Sequence, residues 1–140
     1  MKKITSLILV CAIAILTLIA CTPNTDSGSA TIVIDTEPNA VYTVDFEAGE
    51  FARGLLSALD KLGIAYTEEG GMLYSVGELA PAAPTYIYIY SSVSENHDVS
   101  SWAQSITYEG NTLVSVGFGA AELTFVDGAI FYIGTITYEQ

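Results

Sequence analysis

From Ala30 onward the sequence predicts an α+β domain, mixed or antiparallel strands packed on one helix, and three observations predict it. Short apolar runs broken by turn residues dominate the chain. One segment departs from that pattern, with Phe51, Leu55, Leu56, Leu59 and Leu62 recurring at helical spacing. The order of elements, two strands, one helix and then several strands, is that of a sheet wrapping a single helix.

Taken in order, Thr31 to Asp35 and Val41 to Phe46 flank Glu37, Pro38 and Asn39, which reads as a hairpin with Ile32, Ile34, Val41 and Val44 as candidate core positions. The helix is expected over about residues 51 to 62, with Gly49 and Glu50 before it and Gly63 closing it. Asp45, Glu47 and Glu50 lie at its entrance, where the positive end of the helix dipole favours carboxylates. Strands resume at Ile64 to Glu68 and Met72 to Val76, across a Gly70-Gly71 turn, and Pro81 and Pro84 bound a loop. Thr85 to Ser91 alternates Tyr86, Tyr88 and Tyr90 on one face with Ile87 and Ile89 on the other. Further strands are expected at Ser101 to Tyr108, Leu113 to Val116, Glu122 to Val126 and Ala129 to Tyr138, with turns at Glu109-Gly110-Asn111, Gly117 to Gly119 and Asp127-Gly128.

The mean hydropathy is positive although acids outnumber bases 16 to 4, and the excess sits at the front. Lys2 and Lys3 precede an apolar run from Leu7 to Ala20, the layout of a signal peptide and too short to span a bilayer. Leu18, Ile19, Ala20 and Cys21 resemble the lipobox of bacterial lipoproteins. That resemblance implies a diacylglyceryl group on the Cys21 thiol and cleavage after Ala20. The expected organisation is a cleaved signal helix over 1–20, a lipidated polar tether over 21–29 and one folded domain over 30–140. Its expected place is the bacterial cell envelope, extracytoplasmic and membrane-anchored; Thr22 stands where some lipoproteins carry an inner-membrane retention aspartate, so which membrane is open.

Cleavage would leave Arg53 and Lys61 against all 16 acids, a difference of −14. Such a surface repels nucleic acid and anionic lipid. Cys11 would leave with the signal and Cys21 be consumed by lipid, so the folded part has no thiol for disulfide, redox or nucleophilic chemistry.

Within the domain, Val44-Asp45-Phe46-Glu47 followed by Leu55-Leu56-Ser57-Ala58-Leu59, then Gly63-Ile64-Ala65-Tyr66, Ser101-Trp102, Val116-Gly117-Phe118-Gly119 and Asp127-Gly128 occur in an order that resembles the transcobalamin-like C-terminal domain, a soluble-ligand-binding β-grasp module of bacterial surface lipoproteins. The resemblance covers roughly residues 31 to 138 and implies a β-grasp-like sheet on one helix, a ligand-facing or partly exposed Trp102, and a distant link to corrinoid binding. The chain departs from the family where an Asn-Gly turn after the tryptophan is replaced by Glu109-Gly110-Asn111, and where Ala129 follows the late Asp-Gly. The large helical domain that completes the corrinoid site in vitamin-B12 carriers has no counterpart here.

Trp102, Tyr86, Tyr88, Tyr90 and Phe118 are the candidate ligand-binding residues. Three phenols on one strand face offer flat amphipathic surface to a planar ligand or partner, and the alternative is that they pack on the helix or on a second sheet. His97 and Asp98, near Ser92, Ser94, Ser100 and Ser101, do not read as a catalytic triad, because adjacent side chains in an extended segment point apart and no nucleophile elbow is present. Glu95, Asn96 and Asp98 lack the spacing of a calcium loop. Gly117-Phe118-Gly119 is too short to cradle phosphate and reads as a turn. No catalytic set and no metal site are expected. The expected function is a non-catalytic, lipid-anchored binding module holding a small molecule or a partner segment; the alternative is a docking domain of a surface or transport complex without a small ligand.

Overall fold

The computed structural model describes Asn24 and residues 26 to 139, so the expected signal peptide and Cys21 lie outside the described residues. Among the described residues eight strands and one α-helix follow one another: β1 (Gly28–Ile34), β2 (Ala40–Phe46), α1 (Gly54–Leu62), β3 (Tyr66–Glu69), β4 (Met72–Val76), β5 (Thr85–Ser91), β6 (Ser105–Tyr108), β7 (Asn111–Ser115) and β8 (Ile130–Thr137). Six strands form one sheet in the order β2-β1-β8-β5-β7-β6, and β3 and β4 form a separate hairpin. The β1–β8 pair is parallel and the other pairs are antiparallel, so the sheet is mixed and the fold α+β.

The helix covers one face of the sheet. Leu55, Leu56, Ala58 and Leu59 pack into one buried cluster with Ala30, Ile32 and Ile34 of β1, Ile89 of β5, and Phe131 and Ile133 of β8. Phe46, Phe51, Phe125 and Phe131 form a chain of rings through it, with centroids 5.4 Å apart for Phe46 and Phe51, 4.9 Å for Phe51 and Phe125, and 4.4 Å for Phe125 and Phe131. Gly63 ends the helix in the left-handed conformation and donates to the Asp60 carbonyl, as its position in the sequence predicts.

Several expected boundaries shift, each for a local reason. The helix starts at Gly54, not near Phe51: Phe51 is buried, but the backbone after it turns through Gly54 at φ +50°, where a Cβ would sit 2.7 Å from the Leu123 carbonyl oxygen. Val41 is exposed, because the hairpin register sets Tyr42 opposite Ile32 and so turns Val41 to the other face. β3 and β6 begin later than expected, at Tyr66 and Ser105. Glu122 to Val126 is no strand. Ala120–Glu122 make a 3₁₀ turn, and in the extended stretch that follows the buried Leu123 and Phe125 alternate as a strand's residues would. The amide of Asn96 stands in for a ladder partner there, accepting from the Thr124 N–H at 2.7 Å and donating to the Thr124 carbonyl at 2.8 Å.

The span expected as a tether is also shorter than residues 21 to 29. β1 already begins at Gly28, where a Cβ would meet Asp127 Cβ at 2.6 Å. Asn24 is buried: its Oδ1 accepts from the Phe51 N–H at 3.0 Å and its Nδ2 donates to the Glu47 carbonyl at 2.7 Å. The chain is thus stapled to the helix entrance before the first strand.

Candidate functional site

Alternation along a strand sends every second side chain to the face that α1 leaves uncovered. The registers identify who meets there: Val33 lies beside Tyr132, Tyr132 beside Tyr90, Tyr90 beside Ser115, Tyr88 beside Gly134, and Leu113 beside Ile106. Val33, Tyr90 and Leu113 are buried yet belong to no part of the helix-side cluster. A second, smaller core therefore forms on this face.

Three strand spacings separate β6 from β8, about 14 Å in a flat sheet. Tyr108 of β6 and Tyr132 of β8 nevertheless have ring centroids 5.6 Å apart. The coiling of the sheet and the reach of two phenols close that gap. Tyr90 meets Tyr132 edge-on at 6.5 Å and Tyr88 at 5.5 Å. Angles of 54° and 70° between the rings make them walls inclined to one another, not a flat pavement.

Between the β6 edge and the β1–β2 turn these walls border an open hollow of about 390 Å³, lined by Asp35, Asn39, Tyr90, Tyr108 and Tyr132 with Ile106, Thr107, Gly134 and Thr135. Gly134 makes the floor possible, since a Cβ there would come within 3.1 Å of the Tyr132 ring and 3.6 Å of Asp35 Oδ2. The Tyr132 phenol lies by Asp35, and the Asn39 amide, oriented to satisfy its neighbours, donates to Asp35 Oδ1 at 3.3 Å and to the Thr36 carbonyl at 3.2 Å. Burial, then the nearby Asp35 carboxylate, push the Tyr132 phenol above its ordinary range. Burial first, with Tyr88 beside it, does the same to Tyr90.

The structure disperses the residues that the sequence singles out. Tyr90 lines the hollow, Tyr88 stands on Tyr90, and Tyr86 lies further along β5 against Tyr138 at 5.9 Å. Phe118 lies outside the hollow, in a small groove of about 120 Å³ that it shares with Tyr88 and with Met72, Leu73, Ile87 and Ile89. Trp102, 82% exposed, rides on the loop between Asp98 and Gln104 together with Val99 at 97%. That loop is held in shape by Asp98, whose carboxylate accepts from the Ser100 N–H at 2.8 Å, and by Ser100 Oγ, which accepts from the Trp102 N–H at 3.2 Å. The Ser100 hydrogen bonds hold the Asp98 carboxyl below its ordinary range.

His97 pairs through Nε2 with the Ser91 carbonyl at 2.8 Å, a structural bond that brings no serine hydroxyl to it. Among the described residues no group of three His, Cys, Asp or Glu side chains is placed to hold a metal ion. Sequence reasoning missed Tyr108, Tyr132, Asp35 and Asn39. The local signal for Tyr132 was a glycine two residues on, which leaves space for an aromatic ring to lie along the strand.

No protein-family profile and no curated protein matches the sequence. Solved structures match the fold. Among them is a crystal structure of a candidate metal-binding protein from Ruminococcus gnavus ATCC 29149, with a TM-score of 0.50 and 13% identity, covering 81% of this chain and 99% of that one. The likeness is one of fold.

Proposed function

We propose that this chain is a non-catalytic, lipid-anchored extracytoplasmic binding module that holds a small molecule in the tyrosine-lined hollow. One observation carries the reading: three strands that are distant in sequence and the β1–β2 turn converge on one hollow of about 390 Å³ whose walls are phenols and whose rim is polar. A hairpin, a helix and a parallel β1–β8 pair inside the sheet support the β-grasp reading and, with it, the transcobalamin-like resemblance. A corrinoid is not part of the proposal, because the macrocycle with its nucleotide arm is too large for this hollow.

The lipid anchor rests on the Leu18-Ile19-Ala20-Cys21 motif. With Asn24 stapled to Glu47 and Phe51, the three residue steps from Cys21 reach at most ~11 Å, so lipidation would hold the helix-entrance end of the domain against the membrane. Replacing Cys21 with serine is expected to abolish palmitate incorporation and leave an uncut precursor; normal processing of C21S would remove the anchor from the proposal.

The ligand site is tested by titrating the full chain, in a nonionic detergent, with small amines, sugars and planar aromatics while following the nuclear resonances of Gly134 and the tyrosine rings. Saturable shifts confined to Tyr90, Tyr108, Tyr132 and Gly134 are expected. One observation favours a second reading, a docking domain: Val99 and Trp102 are both exposed on one shaped loop, the placement of an aromatic anchor for a protein partner. Shifts confined to residues 98 to 104 on adding envelope extract, with none in the hollow, would favour it.

A further inference from the structure

Resting on the hollow as the binding site, we infer that its ligand is an organic cation, an ammonium or guanidinium group seated among Tyr90, Tyr108 and Tyr132 with Asp35 as counter-ion. The argument starts from charge. Among the described residues only Arg53 and Lys61 are basic, and both are spent near the helix: Arg53 faces Asp60 at 3.7 Å, and Lys61 Nζ lies 2.7 Å from Glu50 Oε1 and 2.6 Å from the Asp45 carbonyl. The hollow opens on the opposite side of the sheet, lined by one carboxylate and no cation. A carboxylate there keeps a negative local potential, which repels anions and draws cations.

The walls choose between kinds of cation. A hard metal ion needs several anionic or carbonyl oxygen ligands, and the side chains of the hollow supply one carboxylate and one amide beside threonine hydroxyls and phenols, with burial opposing ionisation of Tyr90 and Tyr132. A large, weakly hydrated organic cation loses little on desolvation and gains from ring faces, the arrangement of an aromatic cage. Asp35 still has room for it: the Asn39 amide occupies only part of the acceptor capacity of two carboxylate oxygens. Inclined rings also suit a rounded group better than a flat one, which would stack on a single face.

Choline and its neutral isostere 3,3-dimethylbutanol separate charge from shape. We expect choline, titrated against the full chain in a choline-free nonionic detergent, to shift the Gly134 and Tyr132 resonances saturably and to bind at least tenfold more tightly than the isostere. Asp35→Asn should cut the choline affinity about tenfold while leaving the thermal unfolding midpoint within a degree or two, and Tyr132→Leu should cut it with the same resonances lost. Equal binding of choline and the isostere, or choline binding unchanged in D35N, overturns the cation. If a neutral sugar shifts the hollow resonances and choline does not, the binding site stands and the inference falls. If nothing in the panel moves them, both fall.

Discussion

The two faces of the six-stranded sheet are built from the same strands and reach opposite states. β5 sends Ile87 and Ile89 toward the helix and Tyr88 and Tyr90 away from it. β8 does likewise with Phe131 and Ile133 on one side and Tyr132 on the other. The rings follow suit: the helix side gathers Phe46, Phe51, Phe125 and Phe131, and the open side Tyr88, Tyr90, Tyr108 and Tyr132. A phenyl ring tolerates full burial, whereas a phenol keeps a hydroxyl that needs a partner or water. One hydroxyl per ring thus divides a sealed core from a hollow that can exchange water for a ligand.

The largest effect should come from breaking the sealed face. Phe125 sits 1% exposed between Phe46, Phe51 and Phe131, so Phe125→Ala is expected to cost ~3–5 kcal/mol in urea unfolding through lost burial and the cavity left behind. A cost below ~1 kcal/mol would mean that the four rings do not act as one packed unit. Next comes the strut that holds Phe125 in place. Asn96→Ala removes the amide that bonds both Thr124 backbone groups and is expected to cost ~1–3 kcal/mol, because those groups lose their partner in a part-buried setting. Hydrogen exchange at Thr124 should rise in this variant well beyond the change in global stability.

On the open face the loss of a single hydroxyl should matter less for folding and more for binding. Tyr132→Phe keeps the ring and deletes the hydroxyl that lies by Asp35, an expected loss of at most ~1.5 kcal/mol. If it cost as much as Phe125→Ala, the smaller core of the open face would be as tightly sealed as the helix side, and the distinction between the faces would collapse.

The covered face was largely legible in the sequence, and the open face was not. Ile32, Ile34, Val44 and the leucines of α1 announce themselves through period-2 and helical spacing, which are local properties of the chain. The alternation of Tyr86, Tyr88 and Tyr90 was equally plain, yet which of the three enters a site depends on registers with β7 and β8, set by residues more than twenty positions away. Tyr108 and Tyr132 lie on strands that do not even neighbour each other, so no window of sequence links them. The false strand at Glu122 to Val126 fails in the same way: Leu123 and Phe125 show strand-like alternation, but a side-chain amide 28 residues away replaces the neighbouring strand. Phe51 misled for the opposite reason, since its burial fits the helical stripe and only the glycine three residues later shows that the backbone has not yet entered the helix.

Proton titration probes the two sides with smaller effects. Tyr90 and Tyr132 hold their protons above the ordinary phenol value of 10.0, chiefly because burial opposes the phenolate. Their folded-state values are raised, so this contribution to stability is complete below pH 10.0 and is lost as pH climbs through the folded values. Alkaline titration of phenolate absorbance should show a late-ionising fraction that shrinks in Tyr90→Phe and Tyr132→Phe; Tyr66, raised by burial and by Asp60, keeps that fraction from vanishing.

The helix side has its counterpart at low pH, and it should be the smallest effect. Glu50 accepts from Lys61 Nζ at 2.7 Å and from the Glu47 N–H at 2.8 Å, and these bonds hold its carboxyl below the ordinary 4.5. A lowered folded-state value means that the contribution is present above pH 4.5 and fades as pH falls through the folded value, the reverse of the tyrosine case. Solvent screens so exposed a pair, and Glu50→Gln should therefore leave stability at pH 7 little changed while flattening the acid limb of the stability curve slightly. An unaltered acid limb would mean that the pair at the helix entrance is geometry without energy, and that the Asn24 staple, the Lys61 bond to the Asp45 carbonyl and the packing of Phe46 on Phe51 fix that end of the domain.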